Sequence, residues 1–116
     1  MRYDKFTQKA IEAIQESESL AHSYNHSLIE PEHILAALLS QEGGIVAPVL
    51  DRLGAPSKQL HGEALSLLQQ KPKVYGESSQ MALSAAANRV IHRAEQEAQA
   101  LKDEYTSTEH FLLALV

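Results

Sequence analysis

Apolar residues recur along the chain at three- and four-residue steps, the spacing of an amphipathic helix. Phe6, Ala10, Ala13, Ile14, Ser17, Ala21 and Tyr24 form one such stripe and predict a helix from about Asp4 to Ser23. Asp4 or Thr7 is placed to cap or charge its first turn. A polar Asn-His-Ser run at 25–27 interrupts the pattern. Pro31 then suits the first position of a second helix reaching about Ser40, with Gly43 and Gly44 to stop it. A short helix is predicted over Val46–Leu53, where Pro48 is tolerated only in the first turn. Gly54 follows as a left-handed cap, and Pro56 blocks continuation. The next helix, Ser57 to about Gln69, places Leu60, Ala64, Leu67 and Leu68 on one face. Lys71–Ser79 carries no stripe and contains Pro72 and Gly76, so it reads as a linker. A long helix from about Met81 to Leu101 presents Leu83, Ala87, Val90, Ile91, Ala94, Ala98 and Leu101, and a last helix opens within Thr106–Thr108. No strand pattern is evident, and the fold class is all-α. Ile11 and Met81 fall off the stripes and are expected to face a partner, further helices or solvent.

The pattern also repeats. Residues 30–39 read EPEHILAALL and residues 107–116 read STEHFLLALV, with His33 and His110 fixing an offset of 77. At that offset Ala10, Ile14, Glu18 and Ala21 fall on Ala87, Ile91, Glu95 and Ala98, and Glu32, Leu35, Ala37 and Leu38 fall on Glu109, Leu112, Ala114 and Leu115. A period this long marks a doubled small domain rather than a solenoid. Repeat one covers about 1–70, the linker about 71–79 and repeat two about 80–116. Four helices are expected in the first repeat and two in the second. The same offset carries the end of a complete second repeat to about residue 147. Apolar surface over Phe111–Val116 is then expected to be what further helices would cover.

Composition narrows the function. The net charge of −5 and the absence of any Lys/Arg cluster argue against nucleic acid and an anionic membrane surface. No apolar run is long enough to span a bilayer. There is no cysteine, which excludes disulfides, thiolate metal sites and Cys nucleophiles and fits a reducing, cytoplasmic setting.

The candidate chemistry is sparse. Glu32 and Glu109 each sit in the first turn of a short helix, just before a histidine. Such an acid complements the helix dipole, and where exposed it accepts bonds from a cationic or amide group of a bound chain. Two-fold related copies would present two equivalent carboxylates. His33 and His110 read as partly buried side chains donating to a backbone carbonyl. His22 and His26 have metal-ligand spacing, but the helix is expected to fray between them, and no metal site is expected. Thr7 reads as a cap and Asp103 as a turn acid. No catalytic constellation or phosphate-cradling glycine loop is present.

The opening MRYDKFTQKAIEAI, the EPEHILAALL motif followed by QEGG, the KPKVYG linker and the KDEYTSTEHFLLAL run resemble the N-terminal domain of ClpB disaggregases over the whole chain. The resemblance implies a double Clp repeat, two four-helix copies joined by a linker. The parent would be a hexameric AAA+ machine that uses ATP and Mg and works with the Hsp70 system. This segment would hold no cofactor and no enzymatic activity, and would weakly capture exposed segments of unfolded or aggregated proteins. Thr7, Asp103 and Glu109 match positions implicated in substrate handling, and Glu32 and Ile11 join them as candidate contacts. Arg93, Glu97 and His110 stand where relatives place apolar groove residues. The ClpC and ClpA-type N domains are the alternative. There, acids matching Glu32 and Glu109 receive phosphoarginine, and adaptor proteins dock. Pro31 stands where ClpC usually has Thr, and the QEGG and linker segments favour ClpB.

Overall fold

The computed structural model describes residues 4–74 and 81–116. The helices are α1 (Gln8–Ser23), α2 (Pro31–Ser40), α3 (Val46–Arg52), α4 (Ser57–Gln70), α5 (Ala85–Ala100) and α6 (Thr108–Leu115). The first four form one copy of the repeat, and α5 and α6 belong to the second. One core spans both copies. Phe6, Ala10, Ala13, Ile14 and Ala21 meet Ile34 and Leu38 of α2, Ala87, Ile91 and Ala94 of α5, and Phe111 of α6. A smaller cluster joins Ala36 to Ala64 and Leu68, fixing α4 on α2. Alanines supply much of both clusters, which lets the helices approach closely. Ser17 is tolerated inside because its hydroxyl donates to the Ala13 carbonyl at 2.7 Å.

The expected all-α fold gains one feature that the hydropathy pattern did not predict. Two-residue strands, β1 (Leu28–Ile29) and β2 (Ala82–Leu83), pair in parallel, Leu28 with Ala82 and Ile29 with Leu83. Phe6 forms an isolated parallel bridge with Thr106. The two pairings are the same contact seen twice, because Phe6 is the repeat equivalent of Leu83 and Ile29 of Thr106. Thr7 N–H donates to the Thr106 carbonyl at 3.0 Å, and Ser84 N–H to the Ile29 carbonyl at 2.9 Å. Each copy therefore lends the segment before its first helix to the segment before the other's second helix. Two residues are too short for an alternating pattern to register.

The same two-fold logic sets the helix starts. α1 begins at Gln8 rather than Asp4, because Thr7 is the cap and its hydroxyl accepts from Ala10 N–H at 3.2 Å. α5 begins at Ala85 rather than Met81, because Ser84 accepts from Ala87 N–H at 3.0 Å and the preceding residues are in β2. Pro31 opens α2, and Pro48 lies inside the first turn of α3, both as predicted. Gly54 adopts φ +85° just past α3, the left-handed conformation that a side chain disfavours. α2 ends at Ser40, ahead of the turn in which Gly43 has φ +68°.

Several side chains depart from the predicted stripes. Leu67 is 50% exposed although Leu68 beside it is fully buried, because the buried face of α4 runs through Ala64 and Leu68, and Leu101, at the C-cap of α5, is 58% exposed. Ile11 and Met81, expected to face outward, are half-buried and pack against the main core. Phe111 is fully buried against Phe6, with ring centroids 5.9 Å apart, so it is a core residue and not exposed apolar surface. Leu113 is 49% and Val116 94% exposed, whereas Ala36, the equivalent of Leu113, is covered by α4. Lys71–Val74 of the linker returns to copy one, where Val74 N–H donates to the Asn25 carbonyl at 2.7 Å. The remainder of the linker, from 75 to 79, lies outside the described residues.

Candidate functional site

Each copy builds the start of its second helix in the same way. Asn25 and Lys102, one residue past the C-caps of α1 and α5, adopt φ 58° and 60°. The chain thereby turns back, and the next residue donates its N–H to the preceding helix, His26 to the Ala21 carbonyl and Asp103 to the Ala98 carbonyl, both at 2.9 Å. Its side chain is then aimed at the histidine seven residues on. In copy one, His26 Nδ1 lies 2.8 Å from His33 Nε2. In copy two, Asp103 Oδ2 lies 2.9 Å from His110 Nε2. The far nitrogen of each histidine caps its helix. His33 Nδ1 accepts from Glu30 N–H at 2.7 Å, and His110 Nδ1 from Ser107 N–H at 2.8 Å. This is a capping box with imidazole in the place usually taken by Glu or Gln. Both rings thus accept a backbone N–H where donation to a carbonyl was expected.

These bonds fix the protons. A ring that accepts at Nδ1 carries its hydrogen on Nε2. His33 therefore donates to His26 Nδ1, and His110 donates to the Asp103 carboxylate. His26 must then carry its own proton on Nε2, a buried atom with no acceptor in hydrogen-bonding geometry among the described residues. Burial holds the His33 pKa down to about 4, with the neighbouring His26 adding to the effect. Burial also lowers His26, partly offset by the Leu68 carbonyl. His26 packs against the Tyr24 ring, and Lys73 lies over the other partner of that stack, 5.5 Å from the Tyr24 centroid. His22 stays on α1 while Asn25 turns His26 inward, so the two do not share a helix face.

The two first-turn acids prove unequal. Glu32 is half-buried and paired with Lys71 at 3.1 Å. Burial pushes its pKa up, but a backbone N–H and Lys71 outweigh this and leave the carboxyl below its ordinary value. Glu109 is exposed and has no ion pair among the described residues. The expected pair of equivalent open carboxylates is therefore a single open one, because the linker returns to copy one and supplies a cation there.

Glu109 lines a groove of 330 Å³ with Thr7, Gly43, Gly44, Ile45 and Ser107. The groove lies between the N-termini of α1 and α6, where the N–H groups of Gln8, Lys9, Thr108 and Glu109 have no intrahelical acceptor. Ile45, 42% exposed, adds an apolar wall. Thr7 and Glu109 are thus brought together, with Asp103 behind them through His110 and Ser107. Glu32 lies on the other copy, and Ile11 contributes to the core. Ser107 Oγ approaches His110 Nδ1 at 3.0 Å, but that lone pair already accepts the Ser107 N–H. The ring holds the helix start and is not a free base for the hydroxyl. The groove offers backbone donors, the Glu109 carboxylate, Lys9 at its edge and an apolar wall. Among the described residues no cluster of three or more His, Asp or Glu could hold a metal ion, and no helix is long and apolar enough to cross a membrane.

The His26–His33 contact and the Gly43–Ile45 groove wall escaped the sequence reading. The first had a signal, since His26 and Asp103 coincide at the repeat offset and each precedes its histidine by seven residues. The second had none, because the wall comes from the turn after α2 and meets α1 and α6 only in the folded molecule.

The family model described as the Clp repeat (R) N-terminal domain matches residues 5–116. The chain is 37% identical over 116 residues to the chaperone protein ClpB of Vibrio cholerae, covering all of this chain and 14% of that protein. It is 37% identical over 110 residues to ClpB of Bdellovibrio bacteriovorus, covering 95% of this chain and 13% of that one. Among solved structures, the N-terminal domain of Hsp104 from Candida albicans superposes with a TM-score of 0.88 at 26% identity, over 97% of this chain and 73% of that chain. The N-terminal domain of the ClpV1 ATPase of E. coli has the same fold, with a TM-score of 0.84 at 24% identity over 96% of this chain and 67% of that one.

Proposed function

Because the chain belongs to the Clp repeat N-terminal domain family, we propose that it is the substrate-engaging N-terminal domain of a ClpB-type disaggregase. It weakly binds exposed segments of unfolded or aggregated proteins and passes them to the AAA+ modules of a hexameric parent. ATP and Mg act in those modules, and the Hsp70 system cooperates with the parent in the cytoplasm. The curated relatives support the ClpB assignment, although the chain spans only about one seventh of their length.

The observation that carries the reading is the groove holding Thr7 and Glu109. An extended chain presents carbonyl oxygens to the helix-start N–H groups and amide or cationic groups to Glu109, and an apolar side chain packs on Ile45. Asp103 acts at one remove, by holding His110 and so the shape of the α6 start. Little of this depends on a specific side chain, in keeping with degenerate recognition. The test is an NMR titration with a permanently unfolded polypeptide. Shifts are expected at Thr7, Ile45 and Glu109, with binding weakened several-fold in Glu109→Ala and unchanged in Glu32→Ala. A titration that moves no resonance in this groove removes the proposal.

A second reading draws support from Lys71 seated on Glu32. A cation docks there already, and the ClpC and ClpA-type alternative, with adaptor proteins or phosphoarginine as ligands, needs such a position. Under that reading, phosphoarginine shifts Glu109 in the intact chain and reaches Glu32 only after Lys71→Ala.

A further inference from the structure

The two copies carry opposite charge at equivalent positions of their first helices. At the repeat offset, Glu12 and Glu16 of α1 fall on Arg89 and Arg93 of α5. All four are exposed, and residues four apart share one helix face. Each pair lines a groove. The α1 groove, of 470 Å³, is faced by Glu12, Glu16 and Glu42 with Lys9 as its one cation. Lys9 is held by the Glu42 carbonyl at 2.7 Å and lies 3.8 Å from Glu12. The α5 groove, of 770 Å³, is faced by Arg89, His92 and Arg93 over Val90, Ala114 and Leu115, and no acid lines it. Among the described residues neither guanidinium has an ion pair. Copy one has all four helices in place, and its groove is still open beside Glu12 and Glu16. The repeat therefore leaves the charged helix face itself accessible, whereas the α5 groove floor at Ala114 and Leu115 is equivalent to Ala37 and Leu38, which are buried in copy one.

We propose that the acidic α1 face of one chain, Glu12 and Glu16, docks on the basic α5 face of a second copy, Arg89 and Arg93, in a head-to-tail contact. A two-fold contact between like faces would set Glu against Glu or Arg against Arg, which electrostatic complementarity disfavours. The unlike pairing uses a different patch on each partner and leaves each chain one face free. Such a heterologous contact propagates to a further copy and closes into a ring if the rotation permits. The contact is weak, because the pairs are exposed and the chain as a whole is acidic, and salt screens it further.

Sedimentation velocity and concentration-dependent NMR, at low and at physiological salt, test the proposal. At low salt the sedimentation coefficient is expected to rise with concentration, with shifts confined to the exposed faces of α1 and α5, and added salt is expected to reverse both. E12R/E16R and R89E/R93E are each expected to be folded and monomeric. An equimolar mixture of the two is expected to associate again, since each supplies the sign the other has lost. E12Q/E16Q, which keeps side-chain shape, is expected to weaken association in the same direction. A chain that stays monomeric at high concentration in low salt overturns the proposal, as does association that persists in either reversal variant. A polyglutamate peptide that shifts Arg89 and Arg93 while the chain stays monomeric also overturns it, and gives the basic face to an acidic partner instead.

Discussion

His33 and His110 perform the same task with different partners, and the difference lies in one residue of each repeat. His110 donates to Asp103, which is half exposed and remains wet. His33 donates to a second buried imidazole, which has lost most of its own hydrogen-bonding options. Copy one therefore carries an acid-sensitive pair. The unfolded chain binds a proton on His33 near pH 6.5, while the folded chain resists until about pH 4. The stabilisation from the neutral ring is complete above the higher value and is lost as pH falls toward the lower one. It amounts to roughly 3 kcal/mol over the whole window, and His26 shifts in the same direction. Urea midpoints at pH 7 and pH 5 are expected to differ accordingly. His33→Gln retains an acceptor for Glu30 N–H and is expected to flatten the difference. A variant with the parent's pH slope would place the sensitivity elsewhere.

At the scale of elements, the helices were readable because their signals are local. Stripes, the prolines at 31, 48 and 56, and Gly54 each act within one or two turns. Element ends were less readable where a distant segment decides them. Met81–Ser84 continues the helical stripe, yet its backbone pairs with β1, and Ser84 caps the helix that follows. The turn ending α5 shows a local signal that copy two uses poorly. Asn25 suits the left-handed conformation in copy one, whereas copy two places Lys102 there. Lys102→Gly is expected to raise stability by about 0.5–1 kcal/mol, read as a shift in urea midpoint with an unchanged slope. A loss of stability would mean that the Lys102 side chain contributes more than its backbone strain costs.

The whole molecule is held together by what each copy gives the other. The crossed pairings of Ile29 with Leu83 and of Phe6 with Thr106 clasp the copies at two related points, and the Phe6–Phe111 contact fills the core between them. Phe111→Ala is expected to cost about 3–5 kcal/mol, measured by urea unfolding. Amide exchange is expected to quicken at both Thr7 and Ser84, whose bonds cross between the copies. Quickening at only one would mean that the two clasps open independently. The candidate groove is a product of this docking, since Thr7 comes from copy one and Glu109 from copy two.

The sequence by itself determined the helices, the doubling and the equivalence of Glu32 with Glu109, because all three are written as spacings along the chain. Its resemblance to ClpB N domains also named Thr7, Asp103 and Glu109. The tertiary structure alone decided that Glu109 is open while Lys71 occupies Glu32, that Ile11 belongs to the core, and that Thr7 and Glu109 face one groove. Each of these depends on which distant segment lies against a given side chain, and a period along the chain carries no information about that.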